Sequence, residues 1–97
     1  MTELSVSEIQ IVPVKALNGL VGFASAVINN QFYVGNIAIY SAPSSKEGFR
    51  LVFPNKKLTS GRFVDCFHPI SKDAGVLVTE AIVNSYKELM ENFNDVS

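Results

Sequence analysis

Basic side chains cluster in the middle of this chain, where they could contact phosphate groups. Five of the eight basic residues lie between Lys46 and Arg62, with a single acid among them. Lys56 and Lys57 occupy a turn-rich loop, residues 54–61, between two short apolar runs. Such side chains neutralise phosphates and position a protein on nucleic acid without reading base sequence. The candidate nucleic-acid-binding residues are Lys56, Lys57, Arg62, Arg50 and Lys72.

The same composition also fits a solvated loop in which the lysines favour solubility and the nearby phenylalanines are buried. Phe49, Phe53 and Phe63 flank the basic residues and would stack on bases only if they were exposed. Net charge does not decide between the two interpretations, because the formal charge of the whole chain is −1. Its distribution is dipolar, since residues 73–95 hold five acids and one base. A dipole of this kind can steer an anionic partner to one face.

Cys66 and His68 lie two positions apart on a predicted strand and therefore face the same side. Such a pair could act as nucleophile and base, or form half of a metal site. The chain has one Cys and one His, so we favour a buried apolar Cys66 and a locally hydrogen-bonded His68. Asp65, on the opposite face, is expected to pair with Arg62 or Arg50 or to lie on a solvent-exposed face. No phosphate-loop pattern occurs, and the sequence predicts no enzyme, cofactor or metal site.

Length and composition favour one small domain spanning residues 1–97. Of its 97 residues 47% are hydrophobic and 18% are charged, which is too apolar for a disordered chain. No apolar run approaches the ~18 residues that span a bilayer, and no signal peptide is visible at the N-terminus. The single cysteine cannot form an internal disulfide. These features predict a cytoplasmic protein.

β-Branched runs separated by turn signals predict an α+β fold, with a mainly antiparallel five-stranded sheet and one C-terminal helix. The strands are expected at residues 4–14, 20–28, 31–40, 49–53 and 62–68. Apolar residues at helical spacing predict that the helix begins at Lys72 or Asp73 and ends near Glu91. Ser71 or Asp73 is the candidate N-cap.

A two-residue turn at Asn29-Asn30 would set the register of the central hairpin and pair Val27 with Phe32. That register gives a bulky sheet face and a small-residue face. The bulky face would comprise Val21, Phe23, Val27, Phe32 and Val34, and the small-residue face Gly22, Ala24, Ala26, Gly35 and Ile37. One helix covers only one of these faces. The helix can cover the small-residue face, which leaves the bulky face uncovered. We therefore expect a homodimer, with or without exchanged strands, that buries the bulky face.

The chain resembles the SpoVG family of bacterial septation and sporulation regulators. The resemblance rests on Phe53-Pro54-Asn55-Lys56-Lys57, Gly61-Arg62-Phe63-Val64-Asp65 and His68-Pro69-Ile70, and it extends over about residues 6–90. It implies a dimeric, cytoplasmic α+β protein that binds DNA, and in some members RNA, without catalysis or a cofactor. It also implies a role in septation, sporulation, cell division or control of gene expression. The match assigns nucleic-acid contact first to Lys56 and Lys57.

Two departures from the family pattern reduce the expected cationic surface. The first strand has Lys15 where the family is often rich in arginine, and the helix has Lys87 among Glu80, Glu88 and Glu91. With about two or three bases per protomer, binding is expected to be weak and strongly salt-sensitive, unless a dimer adds avidity. The alternative is a protein-interaction module that uses the acidic helix or a sheet edge and binds no nucleic acid.

Overall fold

The computed structural model describes residues 4–95, which form six strands and one helix. The main sheet is antiparallel, in the order β1-β2-β3-β4. Its strands are β1 (Val6–Leu17), β2 (Leu20–Ile28), β3 (Phe32–Ser41) and β4 (Phe49–Val52). A separate antiparallel pair is formed by β5 (Asn55–Lys57) and β6 (Phe63–Asp65), and the helix α1 spans Lys72–Asp95. We call β5, β6 and the turn between them, residues 55–65, the ribbon.

The α+β class, the antiparallel sheet and the C-terminal helix are confirmed, whereas the five-stranded sheet is wrong. The segment expected as the fifth strand, residues 62–68, contributes β6, which pairs with β5 and does not join the main sheet. A tight turn makes this pairing possible. The Leu58 amide donates to the Arg62 carbonyl at 2.7 Å, and the Gly61 amide donates to the Leu58 carbonyl at 2.9 Å. Gly61 has a φ of 92°, which glycine adopts at little cost. The two lysines therefore lie on a hairpin and not on a loop.

The central hairpin closes through a three-residue turn, Asn29–Gln31, so the predicted two-residue turn is wrong. Both asparagines of this turn have positive φ, 52° and 57°, a conformation that asparagine tolerates well. The closing pair is Ile28 with Phe32, and Val27 therefore pairs with Tyr33. The expected register is displaced from the turn onward.

The strand β3 also contains a bulge at Gly35 and Asn36, between the pairs Ala26–Val34 and Ala24–Ile37. Asn36 has a φ of 56°. Val34 is buried in the core at 5% exposure and does not lie on the bulky face. Gly35 is absent from the small-residue face, because a Cβ added there would lie 2.9 Å from the Tyr33 hydroxyl oxygen. The three-residue turn moves Val34 to the core face, and the extra residue of the bulge then restores the predicted alternation, so Ile37 lies on the core face as expected.

The core lies between α1 and one face of the main sheet. Ala24 and Ala26 on β2 are 3% and 1% exposed and lie in the core cluster with the buried helix residues. On the helix side Ile82 is fully buried, and the Tyr86 ring meets the Phe49 ring edge-on at 5.2 Å between centroids. The helix thus buries its apolar stripe against the sheet.

The helix begins after Ser71, as predicted. The Ala74 amide donates to Ser71 Oγ at 3.1 Å, and the Gly75 amide donates to the Ser71 carbonyl at 3.0 Å. The first of these bonds satisfies an amide that has no partner within the helix, and the second is the first bond of the helical ladder. Asp73 in that turn also suits the positive end of the helix dipole. The helix continues to Asp95, past the predicted end.

No described element covers the second face of the main sheet. Val12 is 61% exposed, Phe23 37% and Tyr33 75%. The register places Arg50 on the same face, where its guanidinium lies 4.8 Å from the centroid of the Tyr40 ring. We call this surface the outer sheet face, defined by Val12, Phe23, Tyr33, Tyr40 and Arg50. Part of the apolar surface expected to be uncovered is therefore exposed in the protomer.

Candidate nucleic-acid interface

The ribbon is joined to the core by an aromatic pair at its base. Phe53 precedes β5 and Phe67 follows β6, and their ring centroids lie 5.8 Å apart. Both rings are partly buried against the core. The Cys66 amide donates to the Pro54 carbonyl at 2.9 Å and extends the pairing of the two strands. The base of the ribbon is thereby fixed, while every residue of β5 and β6 is exposed.

The register of the ribbon places its two lysines on opposite faces. Lys57 pairs with Phe63 and Lys56 pairs with Val64. Because side chains alternate along a strand, adjacent lysines point in opposite directions. We call one side the Phe63 face, formed by Asn55, Lys57, Phe63 and Asp65, and the other the Val64 face, formed by Lys56 and Val64. The cations are thus divided between two surfaces of one exposed hairpin.

The remaining candidate bases lie in three different places. Arg62 is exposed at the turn end of the ribbon, beside the two lysines. Arg50 lies on the outer sheet face. Lys72 begins α1 and lines an open cleft of about 430 Å³ together with Lys46 and Glu80. The structure therefore brings Lys56, Lys57 and Arg62 together on the ribbon and leaves Arg50 and Lys72 on other surfaces.

The ribbon cations have no carboxylate partner among the described side chains. The one contact within 4.0 Å between a basic and an acidic side chain in that part of the chain joins His68 Nε2 to Asp65 Oδ2 at 3.6 Å. The expected pairing of Asp65 with Arg62 or Arg50 is therefore wrong. The alternative, that Asp65 lies on a solvent-exposed face, is confirmed, since its side chain is 58% exposed. The positive charges remain available to an external anion.

Cys66 is exposed, so its prediction as a buried apolar residue is wrong. The local hydrogen bonding predicted for His68 is confirmed, because its Nδ1 lies 3.1 Å from the Pro69 carbonyl oxygen. Within residues 4–95 no group of three or more His, Cys, Asp or Glu side chains could hold a metal ion. The same residues include no helix that is long and apolar enough to cross a bilayer.

The three phenylalanines near the basic residues differ in exposure. Phe49 and Phe53 are partly buried against the core, whereas Phe63 is 64% exposed. The Lys57 Nζ atom lies 5.9 Å from the centroid of the Phe63 ring, within the range of a cation–π contact. Phe63 is the one member of this set with the exposure that base stacking requires.

Comparison with known proteins gives one consistent family. A family model described as SpoVG matches residues 4–88, which include the whole ribbon. A protein of Onion yellows phytoplasma (strain OY-M) named "Putative septation protein SpoVG" is 28% identical over 89 residues, 92% of this chain and 87% of its own length. A protein of that name from Aster yellows witches'-broom phytoplasma (strain AYWB) is 31% identical over 84 residues, 84% of this chain and 82% of its own length. Another, from Archaeoglobus fulgidus, is 25% identical over 83 residues, 86% of this chain and 94% of its own length.

Proposed function

The chain belongs to the SpoVG family, and from that relationship we propose that it is a cytoplasmic regulator of septation that binds nucleic acid through its ribbon. The names of its relatives support the link to septation. The family resemblance supports the cytoplasmic location, and the exposed free thiol of Cys66 suits a reducing compartment. The further link to sporulation and to control of gene expression rests on the same resemblance.

Nucleic-acid binding is supported chiefly by the three unpaired cations of the ribbon. Lys56, Lys57 and Arg62 are exposed, and no described carboxylate lies within 4.0 Å of any of them. Each cation that meets a phosphate releases condensed counterions, which is the main source of affinity for a polyanion. Arg50 and Lys72 lie on other surfaces, and we assign them a secondary role that depends on the path of the nucleic acid.

We further propose that two copies pair through the outer sheet face. Val12, Phe23 and Tyr33 form an exposed apolar surface there, and the near-zero net charge of −1 creates little repulsion between copies. A stable interface buries about 800 Å² per partner. The second copy would add a second ribbon, and a linked pair of weak sites gains avidity.

The dimer is tested by size-exclusion chromatography with light scattering at micromolar concentration. We expect the mass of two chains, and we expect Phe23→Lys to give the mass of one chain, because it introduces an unpaired charge into the apolar contact. Lys87→Ala, on the exposed side of the helix, is the control and should leave the mass unchanged. A single monomer peak for the unchanged protein would contradict the proposed assembly.

Nucleic-acid binding is tested by fluorescence anisotropy with labelled DNA and RNA at about 50 mM salt, where phosphate contacts are strong. The double variant Lys56→Glu plus Lys57→Glu should lose about ten-fold or more in affinity, because it replaces attraction by repulsion. Lys87→Glu changes an exposed base on the helix and should have a much smaller effect. Absence of binding by the unchanged protein would instead favour the protein-interaction module, for which the helix offers exposed Glu80, Glu88 and Glu91.

A further inference from the structure

The Phe63 face of the ribbon contains groups that phosphate binding alone does not require. Phe63 is 64% exposed, although burial of an aromatic ring is strongly favourable. Asp65 lies on the same face, where its negative charge would repel a phosphate. Asn55, directly opposite Asp65, adds an amide that can donate and accept hydrogen bonds. An aromatic ring beside a carboxylate and an amide is suited to a nucleobase.

We propose that the Phe63 face holds an unpaired base, so that the ligand of the ribbon is single-stranded nucleic acid, an assignment that rests on the proposed function. In a duplex the faces of each base are covered by its neighbours, and only an unpaired base can present a face to a protein ring. Stacking of this kind tolerates any sequence, because every base has an aromatic face.

The dimensions of the ribbon fit this role. Neighbouring residues on one face of a strand repeat at about 6.6 Å, twice the rise per residue. A base stacked on Phe63 would therefore bring its edge to the next pair, Asn55 and Asp65. Lys57, with its Nζ atom 5.9 Å from the centroid of the Phe63 ring, lies where it can meet an adjoining phosphate.

Asp65 has free capacity to accept hydrogen bonds. Its carboxylate accepts none from the described groups, and the nearest basic side chain is that of His68, with 3.6 Å between Nε2 and Oδ2. A carboxylate accepts well from the exocyclic amino group of cytosine, whereas thymine presents a carbonyl oxygen at the same position. The Phe63 face should therefore favour cytosine over thymine.

In this arrangement the Val64 face contacts the backbone of the nucleic acid and not a base. Lys56 lies there, away from the stacked base, and is left to contact the sugar–phosphate backbone. Loss of Lys56 should weaken single-stranded and duplex binding alike, because both ligands have phosphates. Loss of the Phe63 ring should affect the single-stranded ligand selectively.

The test compares Phe63→Leu with Phe32→Leu. These phenylalanines are matched in exposure, 64% and 65%, but Phe32 begins β3 and lies outside the ribbon. The probe is a labelled DNA strand of about 20 nucleotides, free or annealed to its complement, which exceeds the site size of small modules. Phe63→Leu should lower single-strand affinity about five-fold or more and leave duplex affinity unchanged. Phe32→Leu should change neither, and Phe63→Tyr should retain single-strand affinity.

Two outcomes would overturn the assignment and are distinguishable from each other. If Phe63→Leu affects both ligands equally or neither, while Lys56→Glu plus Lys57→Glu still weakens binding of both by about ten-fold or more, the base-stacking role fails and the proposed function stands. If the unchanged protein binds neither ligand at about 50 mM salt, both fail.

The role of Asp65 is tested with oligo-dC and oligo-dT of equal length. The unchanged protein should bind oligo-dC about five-fold or more tightly, a discrimination within the range of a direct base contact. Asp65→Asn should reduce that ratio, because a neutral amide accepts more weakly than a carboxylate. Equal affinities for the two strands in the unchanged protein would refute a base-contacting Asp65.

Discussion

Removal of single cations from the ribbon should flatten the dependence of nucleic-acid binding on salt. Lys56, Lys57 and Arg62 are exposed and lack a described carboxylate partner, so their charges are available to phosphates. The variants Lys56→Ala, Lys57→Ala and Arg62→Ala each remove one contact. Lys87→Ala removes an exposed base from the helix and is the matched control.

The expected slope follows from the number of cations on the ribbon. On single-stranded nucleic acid each phosphate contact contributes about −0.7 to the slope of log K against log salt. Three contacts give a slope of about −2 for one ribbon and about −4 for two ribbons on one strand. Between about 50 and 200 mM salt the affinity should then fall about 20-fold for one ribbon or about 300-fold for two.

Anisotropy titrations at four salt concentrations would measure these slopes. Each ribbon variant should flatten the slope by about 0.7 per engaged ribbon, and Lys87→Ala should leave it unchanged. Phe63→Leu should lower affinity without a change of slope, because stacking releases no counterions. If the three ribbon variants keep the full slope, or if Lys87→Ala flattens it as much as they do, the ribbon is not the phosphate-binding surface.

Three further predictions concern the scaffold. Ile82→Ala, at a fully buried site, should lower the free energy of unfolding by about 2–5 kcal/mol in urea unfolding. The control Val76→Ala, at a site 48% exposed, should change it by less than about 0.5 kcal/mol. Ser71→Ala should lower the free energy of unfolding by about 1 kcal/mol, because the N-cap is lost, whereas Ser71→Asp should keep most of that stabilisation. Thermal unfolding followed by circular dichroism measures both. Burial raises the pKa of Tyr86 above its usual value of 10.0, so the unfolded chain loses that proton first and stability should fall as pH rises above 10. Urea unfolding at about pH 9 and 11 should show a smaller fall for Tyr86→Phe than for the unchanged protein; equal falls would contradict the role of burial.

Local signals in the sequence were sufficient to predict the helix and its start. Val78, Ile82 and Tyr86 repeat at the helical period and all face the core. The serine at position 71 caps the first turn because capping depends on atoms only three residues away. The α+β class followed from the same short-range patterns.

The register and the ribbon depend on interactions that a sequence does not display directly. A two-residue and a three-residue turn at Asn29–Gln31 use the same residue types, and the bulge at Asn36 adds a second displacement. Whether β6 joins the main sheet or pairs locally depends on the Leu58–Gly61 turn and on the Phe53–Phe67 contact. Turn residues between two short apolar runs were the one available signal for a hairpin. Without its register, the separation of Lys56 and Lys57 onto two faces could not be foreseen.

The location of a bound polyanion is the most direct test of the ribbon's function. Amide chemical shifts of ¹⁵N-labelled protein would be recorded during titration with a single-stranded oligonucleotide at low salt. We expect the largest shifts at Lys56, Lys57, Phe63 and Val64, and small shifts along the exposed side of α1. Shifts confined to α1 or to the outer sheet face, with the ribbon amides unmoved, would contradict the assignment of the ribbon as the nucleic-acid-binding surface.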